Sequence, residues 1–535
     1  MIIEFLGADH EVTGSCHYLS VGEHHILIDC GMQQGPDTYE NQEIPVNASN
    51  IDFVFVTHAH IDHSGLLPLL YARGFRGKIY ATEATTMLCD IMLRDSAHIQ
   101  EQEAEWKNRK GKRSGRHDAV TPLYEMNDAL GVMKLFYSVH YEEKIEVSED
   151  ISARFIDAGH LLGSASIELW LRENGEEKKV VFSGDIGNSR KPLIKEPKYI
   201  NEADYVIMEA TYGDRDHENP GDFAERLAAI TQETLDRGGN LVIPAFSVGR
   251  TQEMLYFFRR IKEEGLVKGI NADFDVYMDS PLAVEATSIF KKNVSECFDE
   301  EAARIVQSGR NPIGFPGLRT AVTSDESKLI NFDMKPKVII SASGMCEAGR
   351  IRHHLKHNLW RPESTIVFVG FQVPGTLGYS LLNGAKEVRL FGETVAVEAH
   401  IENLPGISGH ADHRGLLSWI EAFGDTPKKV FVVHGQNLTV DIFAKELREE
   451  KGLDAYAPFS GDAFDLLTGA KVKEGSRVQK APYKPDVKPA SNVFLRLLAA
   501  GQRLLKVIER CEGMANKDLA KFADQINALS DKWDR

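Results

Sequence analysis

Between Met1 and Gly213 the chain repeats short apolar or alternating runs bounded by Gly, Asp and Asn, the pattern of strands closed by turns. It predicts strands at Ile2–Leu6, Tyr18–Val21, His25–Asp29, Phe53–Thr57, Lys78–Ala81, Ser152–Asp157, Ile167–Leu171, Lys179–Ser183 and Tyr205–Glu209. Apolar residues at helical spacing predict helices at Leu66–Arg73 and Ala84–Trp106, the second long and amphipathic. Strands with helices between them imply packed sheets covered by helices.

From Asp214 to Val395 the rhythm changes to helices alternating with short strands that read as buried. Helices are expected at Phe223–Arg237 and Thr251–Glu264, and strands at Asn240–Pro244, Asp275–Met278 and Val338–Ser341. That alternation predicts a parallel sheet with helical crossovers. Turns rich in potential ligands return afterwards, at Ser408-Gly409-His410 and Val433-His434-Gly435, so the second unit reads as an insertion. The expected boundaries are 1–213 for the first part of one domain, 214–395 for the inserted domain and 396–468 for the second part of the first. Residues 469–535 remain as a linker and a C-terminal helical hairpin.

Within that last segment, Lys471–Ser491 is rich in lysine and proline, as linkers are. One apolar face then carries Phe494, Leu497, Leu498, Leu504, Leu505 and Ile508, and a second carries Leu519, Phe522, Ile526, Leu529 and Trp533. A hairpin of this kind docks on the body of its own chain or pairs with a second copy, which is the basis for expecting a homodimer. Arg496, Arg503, Lys506 and Arg510 read as a solvated face.

The chain has 535 residues, enough for several domains and a large core. Its 62 basic and 79 acidic residues give a net charge of -17, which excludes a broadly cationic nucleic-acid coat and leaves any polyanionic substrate to a local surface or to metal ions. The six cysteines, Cys16, Cys30, Cys89, Cys297, Cys346 and Cys511, form no CxxC pair, as expected of a reduced cytoplasmic protein. With no signal-peptide pattern and no run of eighteen apolar residues, a soluble protein without a membrane partner is expected.

The densest chemistry lies in Val56-Thr57-His58-Ala59-His60-Ile61-Asp62-His63, directly after an apolar strand. His58 and His60 are two apart and can reach one ion, while Asp62 and His63 project from the next turn toward a second. Four further residues sit at strand ends or glycine-flanked turns: Asp29, His160, Asp185 and His434. Singly each is weak, yet together they supply what two zinc ions lack. His58, His60 and His160 would hold one ion, Asp62, His63 and His434 the other, and Asp185 would bridge, leaving a position for a shared hydroxide. Asp29 is then placed behind the ligands, orienting a ligating imidazole.

These residues, together with Met208-Glu209-Ala210-Thr211-Tyr212-Gly213, Ile243-Pro244-Ala245-Phe246-Ser247-Val248-Gly249-Arg250, Met278-Asp279-Ser280-Pro281, Ser341-Ala342-Ser343-Gly344-Met345 and Ile407-Ser408-Gly409-His410-Ala411-Asp412, carry a family resemblance over residues 1–468. The chain closely resembles the β-CASP nucleases of the metallo-β-lactamase superfamily, which include the pre-mRNA 3′-end cleaving subunit and ribonuclease J. The resemblance implies an α/β fold: a metallo-β-lactamase αββα sandwich interrupted by a β-CASP domain, a parallel sheet flanked by helices that forms a cleft over the metals. It implies that Glu209 pairs with His410, and that a histidine at 434 favours RNA over DNA. Two departures stand out: Tyr379 occupies a position where many relatives have arginine, and His434 precedes Gly435-Gln436 where relatives often have Gly-Glu. The C-terminal hairpin has no counterpart in the shorter bacterial members.

The expected activity is a zinc-dependent ribonuclease with two Zn2+ ions per chain, acting as an endonuclease, with 5′ exonuclease action left open. A zinc-bound water, its pKa lowered from about 15.7 to about 7, would supply a metal-bridging hydroxide. Asp62, His410 and Glu209 are the expected catalytic residues, with His410 as general acid for the leaving ribose oxygen, an effect worth about 10²–10⁴ in rate. Arg250, Ser343, Gly344 and Ser408 are candidate phosphate contacts, although the same serines and glycines equally suit tight turns. The basic run Lys107-Asn108-Arg109-Lys110-Gly111-Lys112-Arg113 reads as a solvated flexible loop. Two alternatives use the same residues: a small thioester or lactone hydrolase, which would need neither the insertion nor the Glu209/His410 pair, and a non-catalytic RNA-binding subunit, which would not need every ligand.

Overall fold

Alternating side chains on two sets of strands bury one face each, and the two faces close on one another. The computed structural model describes residues 1–35, 41–113, 120–189, 191–218, 221–478 and 516–533, with Leu504, Ile508 and Cys511. An eight-stranded sheet runs in the order Lys471–Lys473, Ala463–Asp465, Ile2–Gly7, Cys16–Val21, His24–Ile28, Phe53–Phe55, Lys78–Thr82 and Phe136–Val139. A seven-stranded sheet runs Ala455–Tyr456, Lys429–Val433, Tyr205–Glu209, Glu176–Phe182, Ala165–Glu173, Ile151–Asp157 and Ile145–Ser148. Phe5, Ile28, Phe55 and Phe464 from the first sheet pack on Phe155, Phe182, Ile207 and Phe431 from the second in one buried cluster. Helices cover the outer faces, among them Glu83–Arg113 on the first sheet and His413–Glu421 and Asn437–Glu449 on the second. This is a four-layer αββα sandwich.

Chain segments far apart in sequence complete it. Lys429–Val433 pairs in parallel with Tyr205–Glu209, and Ala463–Asp465 pairs antiparallel with Ile2–Gly7, so residues beyond the inserted unit finish both sheets. The inserted unit is a six-stranded parallel sheet ordered Leu318–Thr320, Val276–Asp279, Val338–Ser341, Leu241–Pro244, Thr365–Phe368 and His400–Asn403. Leu241–Pro244, Val338–Ser341 and Thr365–Phe368 are buried along their whole length; the first two match expected strands and the third was not expected.

Four expectations need correction. His400–Asn403 pairs with Thr365–Phe368, so the inserted sheet runs past 395. Lys471–Lys473, assigned to the linker because of its lysines, is an edge strand whose Lys471 bonds Asp462 at 2.8 Å; charged residues suit an exposed edge. The run Lys107–Arg113 is no loop: the helix that starts at Glu83 continues through it, helped by i,i+4 pairs such as Lys107–Glu103 at 3.2 Å and by cations in its last turn. The other helix near the motif is shorter than expected, Leu67–Ala72.

The C-terminal unit is described through the helix Asn516–Trp533, on which Leu529 and Trp533 are exposed. The expected first helix of the hairpin (Phe494, Leu497, Leu498, Leu505, with Arg496, Arg503, Lys506 and Arg510) and the linker beyond Val478 lie outside the described residues. Among the described residues no helix is long and apolar enough to cross a membrane, and all six cysteines are free thiols.

Candidate metal centre and active-site cleft

The strand Phe53–Phe55 ends at the floor of the cleft, and a one-turn helix, Ile61–Ser64, follows it with His60 at its N-terminus. The backbone of that turn lies directly on Gly31: a Cβ built there would stand 1.7 Å from the Asp62 carbonyl oxygen, so only glycine permits the approach. The neighbouring Asp29 is held at a left-handed φ of 59°, and His434, at the end of Lys429–Val433, at 49°. Non-glycine residues in this region are uncommon and cluster at functional sites.

Two donor groups result. His58, His60, His160 and Asp185 form one, and Asp62, His63 and His434 the other; within each, the donor atoms lie no more than 4.8 Å apart. In the first, the Nδ1 of His60 faces the Nε2 atoms of His58 at 3.1 Å and His160 at 3.2 Å, and Asp185 Oδ2 is 3.4 Å from both Nε2 atoms. In the second, the Nε2 atoms of His63 and His434 are 3.2 Å apart, with Asp62 Oδ2 3.8 Å from His434. Asp185 joins the groups, because its other oxygen, Oδ1, lies 3.2 Å from His63 Nε2 and 3.5 Å from His434 Nδ1.

This donor set fits metal ions better than it fits protons. Three imidazole nitrogens converge in the first group, and a proton between two of them satisfies only that pair. Burial, reinforced by His58, pushes the His60 imidazole down to about 3, and burial drives His160 well below the ordinary range, so their lone pairs are available. Asp185 Oδ1 is buried without a hydrogen bond; burial disfavours its charge, yet His434, His63 and His58 keep the carboxylate ionised. An ionised oxygen among convergent lone pairs is the environment a divalent cation satisfies.

A second layer sets the tautomers. Asp29 accepts the Thr57 backbone N–H at 2.8 Å, the Thr57 hydroxyl at 2.9 Å and the His63 Nδ1–H at 2.7 Å, which turns His63 Nε2 toward the donor group. Since the Thr57 hydroxyl proton goes to Asp29, its oxygen accepts from His58 Nδ1 at 3.1 Å, and His58 Nε2 is directed likewise. His160 donates Nδ1–H to the Gly409 carbonyl at 3.1 Å. Burial opposes the charged form of His63, but Asp185 and Asp29 together raise its pKa well above the ordinary value; a cation takes the place of that second proton. Thr57 and Thr211, the latter 3.2 Å from His434 Nδ1, were not singled out from sequence, although both lie inside the motif blocks.

Beside the donor groups, His410 Nδ1 donates to Glu209, with Oε1 at 3.0 Å and Oε2 at 3.1 Å, which leaves Nε2 for a reacting group. Glu209 is fully buried and also accepts the backbone N–H groups of Ile186 at 2.6 Å and Thr211 at 3.2 Å. The loop carrying His410 is pinned by the Ala411 N–H on the Ile186 carbonyl at 2.7 Å, and His217 Nε2 donates to the His410 carbonyl at 3.0 Å. Burial works against the charged imidazole, but Glu209 and then Asp185 outweigh it and hold His410 up to about 9.

A cleft of about 690 Å³ opens over these groups, between the sandwich and the inserted domain. Arg250, Gly344 and Ser408 line it; Ser343 does not, and its hydroxyl turns to the Ala348 carbonyl at 3.4 Å. The Arg250 guanidinium is engaged by Glu253 at 2.7 Å and by the Ile407 carbonyl, and the Ser408 hydroxyl accepts the His410 N–H at 3.2 Å. Arg250 and Ser408 therefore position the cleft's own loops. Lys191, for which no sequence signal exists, donates to the carbonyl of His160 and lies 3.6 Å from Glu253, tying the metal-ligand loop to the inserted domain.

Three family models cover the chain in succession: the metallo-beta-lactamase superfamily at 11–241, the Beta-Casp domain at 251–381 and the Zn-dependent metallo-hydrolase RNA specificity domain at 394–458. Ribonuclease TTHA0252 of Thermus thermophilus is 35% identical over 80% of this chain and 92% of its own length. A transcription termination factor, FttA, of Methanosarcina mazei is 32% identical over 83% of this chain and 69% of its own. An RNase J-like protein of Methanocaldococcus jannaschii is 29% identical over 87% of this chain and 100% of its own. A crystal structure of an Enterococcus faecalis protein of unknown function superposes with a TM-score of 0.50 at 14% identity, over 86% of this chain and 99% of that one, and bears on the fold alone. A metallo-β-lactamase sandwich, an inserted parallel sheet and a buried set of metal donors thus coincide with the matching models, and the chain belongs to the β-CASP family of the metallo-β-lactamase superfamily.

Proposed function

We propose that this protein is a zinc-dependent ribonuclease that binds two Zn2+ ions and hydrolyses RNA phosphodiester bonds as an endonuclease, 5′ trimming being the alternative that product sizes decide. The observation that carries the reading is the meeting of two donor groups at Asp185, with the His410–Glu209 pair alongside, on the floor of one cleft. The ribonuclease and RNase J-like names of its relatives support RNA as the substrate.

His58, His60, His160 and Asp185 would hold one ion and Asp62, His63, His434 and Asp185 the other, with Asp29 and Thr57 fixing their tautomers. Bound zinc supplies Lewis-acid charge beside the phosphoryl oxygens and acidifies water to a pKa of about 7. The chain's own part is orientation and proton transfer. The Glu209 carboxylate keeps His410 protonated and turns Nε2 into the cleft. From there the imidazolium gives its proton to the ribose oxygen as the P–O bond breaks, and the neutral imidazole left behind keeps its Nδ1–H bond to Glu209.

Incubating metal-loaded protein with 5′-labelled RNA, the same sequence as DNA and a chromogenic ester tests this. RNA cleavage with DNA and ester left intact is expected, and turnover of the ester alone would replace the reading with small-molecule hydrolysis. Product sizes separate internal cutting from 5′ trimming.

A further inference from the structure

The cleft is poorly equipped to hold a polyanion by charge. Among the described lining residues the cations are Lys191, Arg215 and Arg250, apart from its histidines. Arg250 and Lys191 share Glu253, and Arg215 bonds Asp214 at 2.8 Å while lying over the Tyr212 ring at 4.8 Å. Asp216, Glu218 and Glu253 stand on the same walls. Each cationic side chain therefore has an acidic partner, in a chain whose net charge is -17.

What the cleft offers instead is aromatic surface. Phe246, Phe371 and Tyr379 all line it, and they are 51%, 53% and 38% exposed. Large aromatics are normally covered, and half-exposed ones gathered in a cleft mark a binding surface. These are also held in place. Phe246 lies against Gly344, where an added Cβ would meet its ring at 3.3 Å, so that turn backs the ring while the residue lines the cleft. The Gln372 amide donates to the Gly344 carbonyl at 3.1 Å and to the Phe371 carbonyl at 3.2 Å, fixing the loop that carries Phe371. Tyr379 sits in the short helix Leu377–Leu382, which is capped by the Thr376 hydroxyl.

Building on the ribonuclease reading above, we infer that Phe246, Phe371 and Tyr379 form a stacking platform that grips unpaired bases of single-stranded RNA. Affinity in this cleft then comes from the bases and not from ion pairs to the phosphates. Stacking tolerates every base but requires it to be unpaired, so the platform gives preference for single strands without sequence specificity. The bases of a duplex are already stacked on one another and cannot use it.

Two signatures follow. With only the metal-held phosphate neutralised, the salt slope for a single strand should be near -0.7, a loss of about threefold between 50 and 200 mM salt; three cation–phosphate contacts would give a slope of about -2 and a loss of about twentyfold. Removing bases near the bond to be cut should weaken binding by about fivefold or more for each base lost, the scale of one aromatic stack.

The test uses the full chain and a labelled single-stranded RNA decamer, intact or with abasic nucleotides flanking the bond to be cut. Binding is read by fluorescence anisotropy on the zinc-loaded protein with a non-cleavable linkage at that bond, and cleavage separately with an ordinary strand. The expected results are a shallow salt dependence, weaker binding of abasic RNA, and a higher KM with kcat little changed for F246L/F371L. The double variant should lose little more on abasic RNA, and F246W/F371W should bind the intact strand as wild type does. Equal binding of intact and abasic RNA, or a salt loss above about tenfold, would overturn the inference even if RNA is cut. Base-dependent binding without cleavage would instead leave the platform standing and overturn the ribonuclease reading.

Discussion

Replacing Glu209 by glutamine isolates the electrostatic part of the His410 function. The amide keeps the size of the side chain and an oxygen to accept His410 Nδ1–H, but it removes the largest charge that holds the imidazole up to about 9. Without it, burial, which lowers the pKa, is opposed mainly by Asp185, so the pKa falls from about 9 toward the ordinary 6.5. A general acid acts in its protonated form, so activity is present below its pKa and lost as pH rises through it. At pH 8 the protonated fraction drops from about 0.9 to about 0.03, a roughly thirtyfold loss, whereas at pH 7 the loss is only about fourfold. The assay is single-turnover RNA cleavage from pH 6 to 9.5, with metal content measured in parallel. Glu209→Gln should retain its metal and shift the alkaline limb downward. An alkaline limb that stays where the wild type has it would remove Glu209 from the protonation of His410.

Asp185→Ala should lower metal content as well as activity, because each of its oxygens faces a different donor group; mass spectrometry of native protein showing full loading would exclude it as the bridge. Asp29→Asn leaves the ligands intact but disturbs the Thr57 hydroxyl and the His63 tautomer, and metal affinity should fall by about 10–100-fold in a chelator competition, an unchanged affinity counting against the relay. Asp9 is fully buried with neither oxygen hydrogen-bonded, and burial, then Asp462 and Glu11, raise its pKa well above 3.8. The folded chain thus keeps a proton that the unfolded chain releases, so stability falls as pH rises above about 4, by about 1.4 kcal/mol per unit of displacement. Asp9→Asn should raise the thermal midpoint at pH 7 and lose that advantage near pH 4; a pH-independent difference would place the effect in packing.

Much of this architecture is legible in the sequence because the signals are local. The strand runs through His25–Asp29, Phe53–Thr57 and Tyr205–Glu209 are apolar and closed by turns, and each delivers a site residue at its end. The His58–His63 block is dense enough to be chemical on its own terms. Leu241–Pro244, Val276–Asp279 and Val338–Ser341 of the insertion also read clearly, since buried parallel strands are apolar on both faces, whereas the equally buried Thr365–Phe368 was missed. What escaped depends on distant partners. His400–Asn403 looks like a loop until Thr365–Phe368 is beside it, and Lys471–Lys473 looks like a linker until Ala463–Asp465 supplies its ladder. Phe136–Val139 and Ile145–Ser148 are short and partly exposed, so their alternation is weak.

The same distinction holds at the site. His160, Asp185 and His434 could be gathered by counting the ligands that two ions need, but no spacing in the sequence says that Glu253 neutralises both Arg250 and Lys191. Arg250 stands in a block that could present a guanidinium to phosphate, and its pairing with Glu253 is visible only in the fold. Ser343 stands in a similar block, and its hydroxyl points back into its own turn. Phe246 and Phe371 sit inside apolar blocks, where an aromatic residue reads as core; only their exposure marks them out.

The most direct measurement replaces the leaving ribose oxygen of the substrate by sulfur, a leaving group that needs no proton. His410→Ala, loaded with metal, should cut ordinary RNA about 10²–10⁴-fold more slowly than wild type and recover most of that loss on the sulfur-substituted strand. An equal loss on both substrates would contradict proton transfer from His410 and reduce the Glu209 pair to a structural contact.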